Sequence, residues 1–152
     1  MQGSSLSKIQ TIGIPRALLF HRYGPLWTTF FEELGFTVIV SDETTRAILD
    51  AGDAVSVDEA CLASKVMMGH VDELADSVDA VFIPSFESVN VREGFCTKFQ
   101  SLPDLVRNTF RNRRLSVLSL DIKDVTDGQK TRKAYIDLAS KLGASPSQAN
   151  KA

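Results

Sequence analysis

Four short runs of aliphatic and β-branched residues set the limits on what this chain can fold into. They are Gln10–Ile14, Phe36–Val40, Ala80–Ile83 and Leu115–Ile122, and helical segments separate them. Strands that are apolar on both faces and alternate with helices predict a parallel sheet covered on both sides. Right-handed crossovers follow from that arrangement. The expected fold class is therefore α/β, with a mainly parallel four-stranded sheet between two helical layers. No internal repeat and no interdomain linker interrupts the pattern.

The punctuation between the runs fits this reading. Pro15 stops the first strand, because it fixes φ and cannot donate to a ladder. Pro25 is placed to open a helix in which Leu26, Trp27, Phe30, Phe31 and Leu34 recur at helical spacing, and Gly35 is placed to end it. Thr44–Ala51 reads as a short helix closed by Gly52. Ser56-Val-Asp-Glu59 has the spacing of a capping box and predicts a helix running to about Asp76, with Val66, Met67, His70, Val71 and Leu74 as its apolar stripe. After Pro84 comes a long polar stretch holding Asn90, Arg92, Gly94 and Cys96, and stretches of that kind are usually functional or disordered. Pro103 is expected to start a helix through Phe110, and residues 127–142 a last helix stopped by Gly143. The domain organisation that follows is a flexible lead-in over 1–9, a single α/β domain over 10–143 and a disordered tail over 144–152.

Composition narrows the function classes. At 152 residues the chain is the size of one domain with a sizeable core. A formal net charge of -2 argues against nucleic-acid binding through bulk positive charge. No apolar run approaches the roughly 20 residues of a membrane span, and Met1–Lys8 is short and polar with no secretory core. A cytoplasmic protein is expected. Its two cysteines make no disulfide framework and are expected to be free thiols or ligands. Dinucleotide, P-loop and nucleophile-elbow motifs do not occur, and Gly13 alone cannot cradle a pyrophosphate.

Ligands of an open α/β sheet bind beyond the carboxyl ends of its strands. That rule selects residues 15–25, 41–45 and 84–103, with 56–61 added on weaker grounds. Cys61 falls in the first or second turn of its expected helix, depending on whether Ser56 or Asp58 caps it. Free amides and the positive dipole end there favour a thiolate, and Lys65 at i+4 lies on the same side. The plainer reading is a small apolar residue filling the helix start. Cys96 lies in the polar stretch, where a merely structural cysteine has less to pack against. Two thiols are fewer than the four protein ligands of structural zinc and most iron–sulfur clusters, so a metal site needs further ligands or a second chain. His21 is read as an ordinary loop histidine, with a site role as the alternative. His70 lies on an apolar stripe and is read as a hydrogen-bonded core residue. Arg111, Arg113 and Arg114 follow a helix and complement its dipole.

Several segments, taken in order, resemble a known family. They are Gly13-Ile-Pro-Arg16, Trp27-Thr-Thr-Phe-Phe31, Leu34-Gly-Phe36 and Val40-Ser-Asp42. Cys61 to Lys65, Gly69-His70-Val71, Phe82-Ile-Pro84, Cys96 and Leu102-Pro103 continue the series. Together they resemble the uncharacterised domain associated with activases of 2-hydroxyacyl-CoA dehydratases, which is related to the iron–sulfur dehydratase subunits. The resemblance implies a Rossmann-like three-layer domain. It also implies that Cys61 and Cys96 are ligands of a [4Fe–4S]-type cluster, with Arg16, His21 and Lys65 as site neighbours. Cys61-Leu62 departs from the family's usual cysteine-proline pair, and family members are typically longer, with a second similar domain and further cysteines. The expected function is thus an iron–sulfur-associated binding domain completed by a second protein chain or a homodimer, and not catalytic by itself. One alternative is a cluster-free interaction domain that keeps only the fold. Another is a subunit of a CoA-thioester dehydratase or of its electron-transfer system.

Overall fold

A computed structural model describes residues 9–90 and 93–152. Apart from Ile9, the expected lead-in lies outside the described residues, as does Arg92. Ile9 is itself buried in the core. The central sheet is formed by β1 (Thr11–Ile14), β2 (Thr37–Val40), β3 (Ala80–Phe82) and β6 (Ser116–Leu118). Its order is β2-β1-β3-β6 and every pairing is parallel, with Ile12 opposite Val38 on one side and Ala80 on the other. The expected Rossmann-like α/β architecture is therefore the observed one.

Period-2 alternation divides the strands between two cores. Ile12, Ile14, Ala80, Phe82 and Leu118 face one side, where α1 (Phe20–Glu33) and α5 (Gly128–Lys141) cover them with Trp27, Phe30, Phe31, Leu138 and Ala139. Val81 and Ile83 face the other side, under α3 (Leu62–Leu74) and α4 (Thr97–Thr109), which contribute Met67, Met68, Val71, Leu74, Leu102 and Val106. Burying each such side chain stabilises the fold by about 1.5–3 kcal/mol, so both layers are held by substantial apolar contact. Trp27 also donates its indole N–H to Tyr135 Oη at 3.0 Å, tying α1 to α5.

α2 (Arg46–Val55) lies against α3 at a glycine crossing. Gly52 does not close α2 as its sequence position suggests. It sits inside the helix, where a Cβ would come within 1.9 Å of the Lys65 carbonyl oxygen. Gly69 is its counterpart on α3, with the Ile48 carbonyl oxygen in the same relation. The true stop signals are Gly35 and Gly143, at φ of 90° and 91°.

Other expectations need correction. α1 begins at Phe20, with Pro25 inside it, because the apolar residues at 19–20 extend the helix backwards. Pro25 there forfeits only a bond to the carbonyl of exposed His21. Pro103 is likewise inside α4. Residues 56–61 form no helix, so the Ser56–Glu59 capping box is not made. Ser56 ends α2 instead. The polar stretch after Pro84 forms β4 (Ser85–Asn90) and β5 (Glu93–Gly94), and the fourth apolar run breaks into β6 and β7 (Asp121–Asp124). These make a second sheet, β5-β4-β7, in which Phe86 pairs with Ile122 and both are buried. Finally, part of the stretch expected to be a disordered tail is α6 (Pro146–Lys151). A capping box between Ser145 and Gln148 starts it, and Ala149 anchors it in the core.

Candidate functional site

Each cysteine occupies the N-cap of a helix on the same face of the central sheet. Cys61 caps α3 and Cys96 caps α4, and the two helices touch. Neither cap is a residue with a good capping side chain, such as serine, threonine or aspartate. Both thiols are exposed. Neither is therefore the buried apolar filler of the plainer reading.

The surroundings of Cys61 favour its thiolate. Its Sγ lies 3.2 Å from the hydroxyl of Ser64, three residues along α3. That hydroxyl, the Ser64 amide and the positive charge of Lys98 all hold the thiol below its ordinary pKa of 9.0, with the hydroxyl the largest influence. The Cys61 side chain makes no capping bond to the backbone of α3, and the Ser64 amide bonds the Cys61 carbonyl at 2.9 Å. Lys98 is in the first turn of α4, two residues beyond Cys96, so the start of the second helix supplies charge to the first.

Sequence reasoning named Lys65 for that part. Lys65 instead turns to α2 and pairs with Asp53, which raises its pKa. Lys98 and Ser64 are the site residues that the sequence reading missed. Ser64 had a signal, since it stands at i+3 from the cysteine, the spacing of a capping partner. Lys98 had none, because nothing in the sequence says that α4 starts beside α3.

Arg16 and His21 belong to another cluster, at the ends of β1 and β2 around His70. His70 is fully buried. Its Nδ1 lies 2.9 Å from Ser41 Oγ and its Nε2 2.9 Å from Thr44 Oγ1. Ser41 Oγ already accepts the Arg16 amide at 2.7 Å. In the neutral ring one of these nitrogens donates and the other accepts, and each hydroxyl can take the complementary part. Burial, then the charges of Arg16 and His21, hold His70 below its ordinary pKa of 6.5. The imidazole is a neutral bolt between α3 and the loop after β2, as the core reading expects. Arg16 reaches towards Glu43 at 3.5 Å, and its Nε is buried without a partner. His21 is an exposed residue of α1, where the sequence suggested a loop.

The switch point of this sheet lies between β1 and β3, where a crevice is expected. Leu18, Trp27, Phe82, Phe86 and Phe99 line it, and only about 20 Å³ remains, room for about one water. Leu18 holds this closure in a left-handed conformation at φ 55°. With that crevice filled, the pair of helix starts is one open part of the edge, and a hollow of about 460 Å³ beside Leu118 and Ser119 at the end of β6 is another.

A three-layer parallel α/β domain with two exposed thiols at neighbouring helix starts is the class of protein that fold and site define. A family model described as the CoA enzyme activase uncharacterised domain (DUF2229) matches residues 11–152. The chain belongs to that family, in agreement with the resemblance seen in its sequence. No curated protein matches it. Among the described residues, no helix is long and apolar enough to cross a membrane. Among the same residues, no group of three or more His, Cys, Asp or Glu side chains is arranged to hold a metal ion.

Proposed function

We propose that this domain contributes Cys61 and Cys96 as two thiolate ligands of a [4Fe–4S]-type cluster, and that another protein chain supplies the remaining ligands. The observation that carries this reading is the shared placement of the thiols. Both are exposed and both cap adjoining helices, whose free amides and dipoles favour negative sulfur. The lowered pKa of Cys61 supports it, since the thiolate is the ligand form. Ser64 would steady the Cys61 sulfur by hydrogen bonding, an interaction that tunes the potential of a cluster. A cluster of this class supplies one-electron transfer when bound. Membership of a CoA enzyme activase family supports a role beside such chemistry.

Anaerobic reconstitution with ferrous iron and sulfide tests the reading. Brown protein that keeps iron and labile sulfide in equal amounts after desalting is expected. Cys61→Ser and Cys96→Ser should each abolish retention. Colourless protein, or a double variant that holds as much iron as the native chain, would leave the domain as a cluster-free interaction scaffold.

A further inference from the structure

The crevice at the switch point is closed by a residue in an unfavourable backbone conformation. Residues 17–20 form a tight turn, in which the Phe20 amide donates to the Ala17 carbonyl at 3.1 Å. Leu18, at the first central position, has φ 55°, and Leu19, at the second, has φ -73° and ψ -5°. Those φ values are the pattern of a type II′ turn, where glycine is usual at the first central position. Among the described residues, Leu18 is the only one other than glycine with a positive φ. Strain of this kind gathers at ligand clamps and switch segments. A glycine here would cost the backbone less, but it would leave the crevice unstopped. What the strain keeps in place is the leucine side chain.

Every residue around the crevice is apolar, with Trp27, Phe82, Phe86 and Phe99 as its aromatic walls. The Trp27 N–H is already given to Tyr135, so the indole offers the crevice no polar contact. The crevice measures about 290 Å³ with its open mouth, yet has room for about one water while Leu18 is in place. It lies beyond the ends of β1 and β3, where open α/β sheets take their ligands. We propose that it is a latent binding site for a compact, uncharged apolar group about the size of one aromatic ring, and that Leu18 is its plug. The turn at 17–20 relaxes, the leucine swings out, and the ligand takes its place against Trp27 and the three phenylalanines. Ring contacts and the exclusion of water drive binding, as in dry apolar cavities of roughly 150 Å³ that take up benzene. The strain that Leu18 gives up offsets part of the cost of opening. None of this depends on Cys61 or Cys96 holding a cluster.

Trp27 is the sole tryptophan of the chain, so its fluorescence reads this crevice directly. Titration of the full chain, reduced and iron-free, with toluene tests the proposal. A saturable change in Trp27 emission and a rise in Tm are expected. Leu18→Gly keeps a turn that glycine adopts freely and removes the plug, so it should bind toluene about tenfold more tightly. Leu18→Ala should also bind more tightly than the native chain, and it carries the test if the glycine variant does not fold. Benzoate, a ring of the same size with a charge, should bind about a hundredfold more weakly than toluene or not at all. No saturable change in the native chain or in either variant would overturn the proposal. Binding by the variants alone would do so too, since Leu18 would then be a fixed part of the core. Equal affinity in all three proteins would show that Leu18 plugs nothing. Benzoate bound as tightly as toluene would overturn the apolar class of ligand.

Discussion

The two ends of α3 behave as different materials. From Met67 to Leu74 the helix is clamped, with Gly69 against the Ile48 carbonyl, His70 bolted to Ser41 and Thr44, and Met67, Met68 and Val71 in the core. From Cys61 to Ala63 it stands open to solvent. A rigid element that presents reactive groups at a free end is how sites hold their geometry. The contrast says that changes in the clamped half should cost stability, and changes in the open half should alter thiol chemistry alone.

The largest effect tests the clamp. Gly69→Ala drives a methyl group into backbone, which no rotamer change can relieve. A loss of about 3 kcal/mol in urea unfolding is expected. A neutral result would mean that α2 and α3 are not locked, and the contrast would fail.

His70→Ala should cost about 2–3 kcal/mol, by leaving a cavity and stranding Ser41 and Thr44. The native protein should also show a pH signature. His70 has its folded pKa below 6.5, so the unfolded chain takes up this proton first. The contribution is whole above 6.5 and is lost as pH falls through the folded value. Unfolding curves between roughly pH 7 and 5 should show that decline, and His70→Ala should flatten it.

The smallest effect sharpens the other side. Ser64→Ala removes the strongest influence holding the Cys61 thiol down. Alkylation of Cys61 should then need higher pH. Ser64 is itself buried but bonds only outward to the thiol, so stability should move by no more than about 1 kcal/mol. Unchanged thiol titration would show that the helix start does not tune this cysteine.

Much of this layout was legible in the sequence, and the failures have common causes. The four parallel strands were readable because each lies in a run of β-branched or aliphatic residues, and Pro15, Gly35 and Pro84 bound the first three. The second sheet was not. β4 and β7 are Ser85-Phe-Glu-Ser-Val-Asn90 and Asp121-Ile-Lys-Asp124, polar enough to pass for loop, and their pairing spans thirty-odd residues. Gly52 looked like a stop because its partner, Gly69, belongs to another helix. Lys65 looked like the cation of Cys61 because helical spacing is visible in sequence, whereas Asp53 drawing it away is not.

By itself, the sequence determined the α/β class and the positions of the four parallel strands. Local periodicity and residue type are enough for those. Only the tertiary structure decided that both cysteines are helix caps on one open face, that Lys98 serves Cys61, and that apolar side chains fill the switch-point crevice. Each of those facts depends on where one element lies against another. Such placement follows from side chains packing across long stretches of chain, which no short window of residues contains.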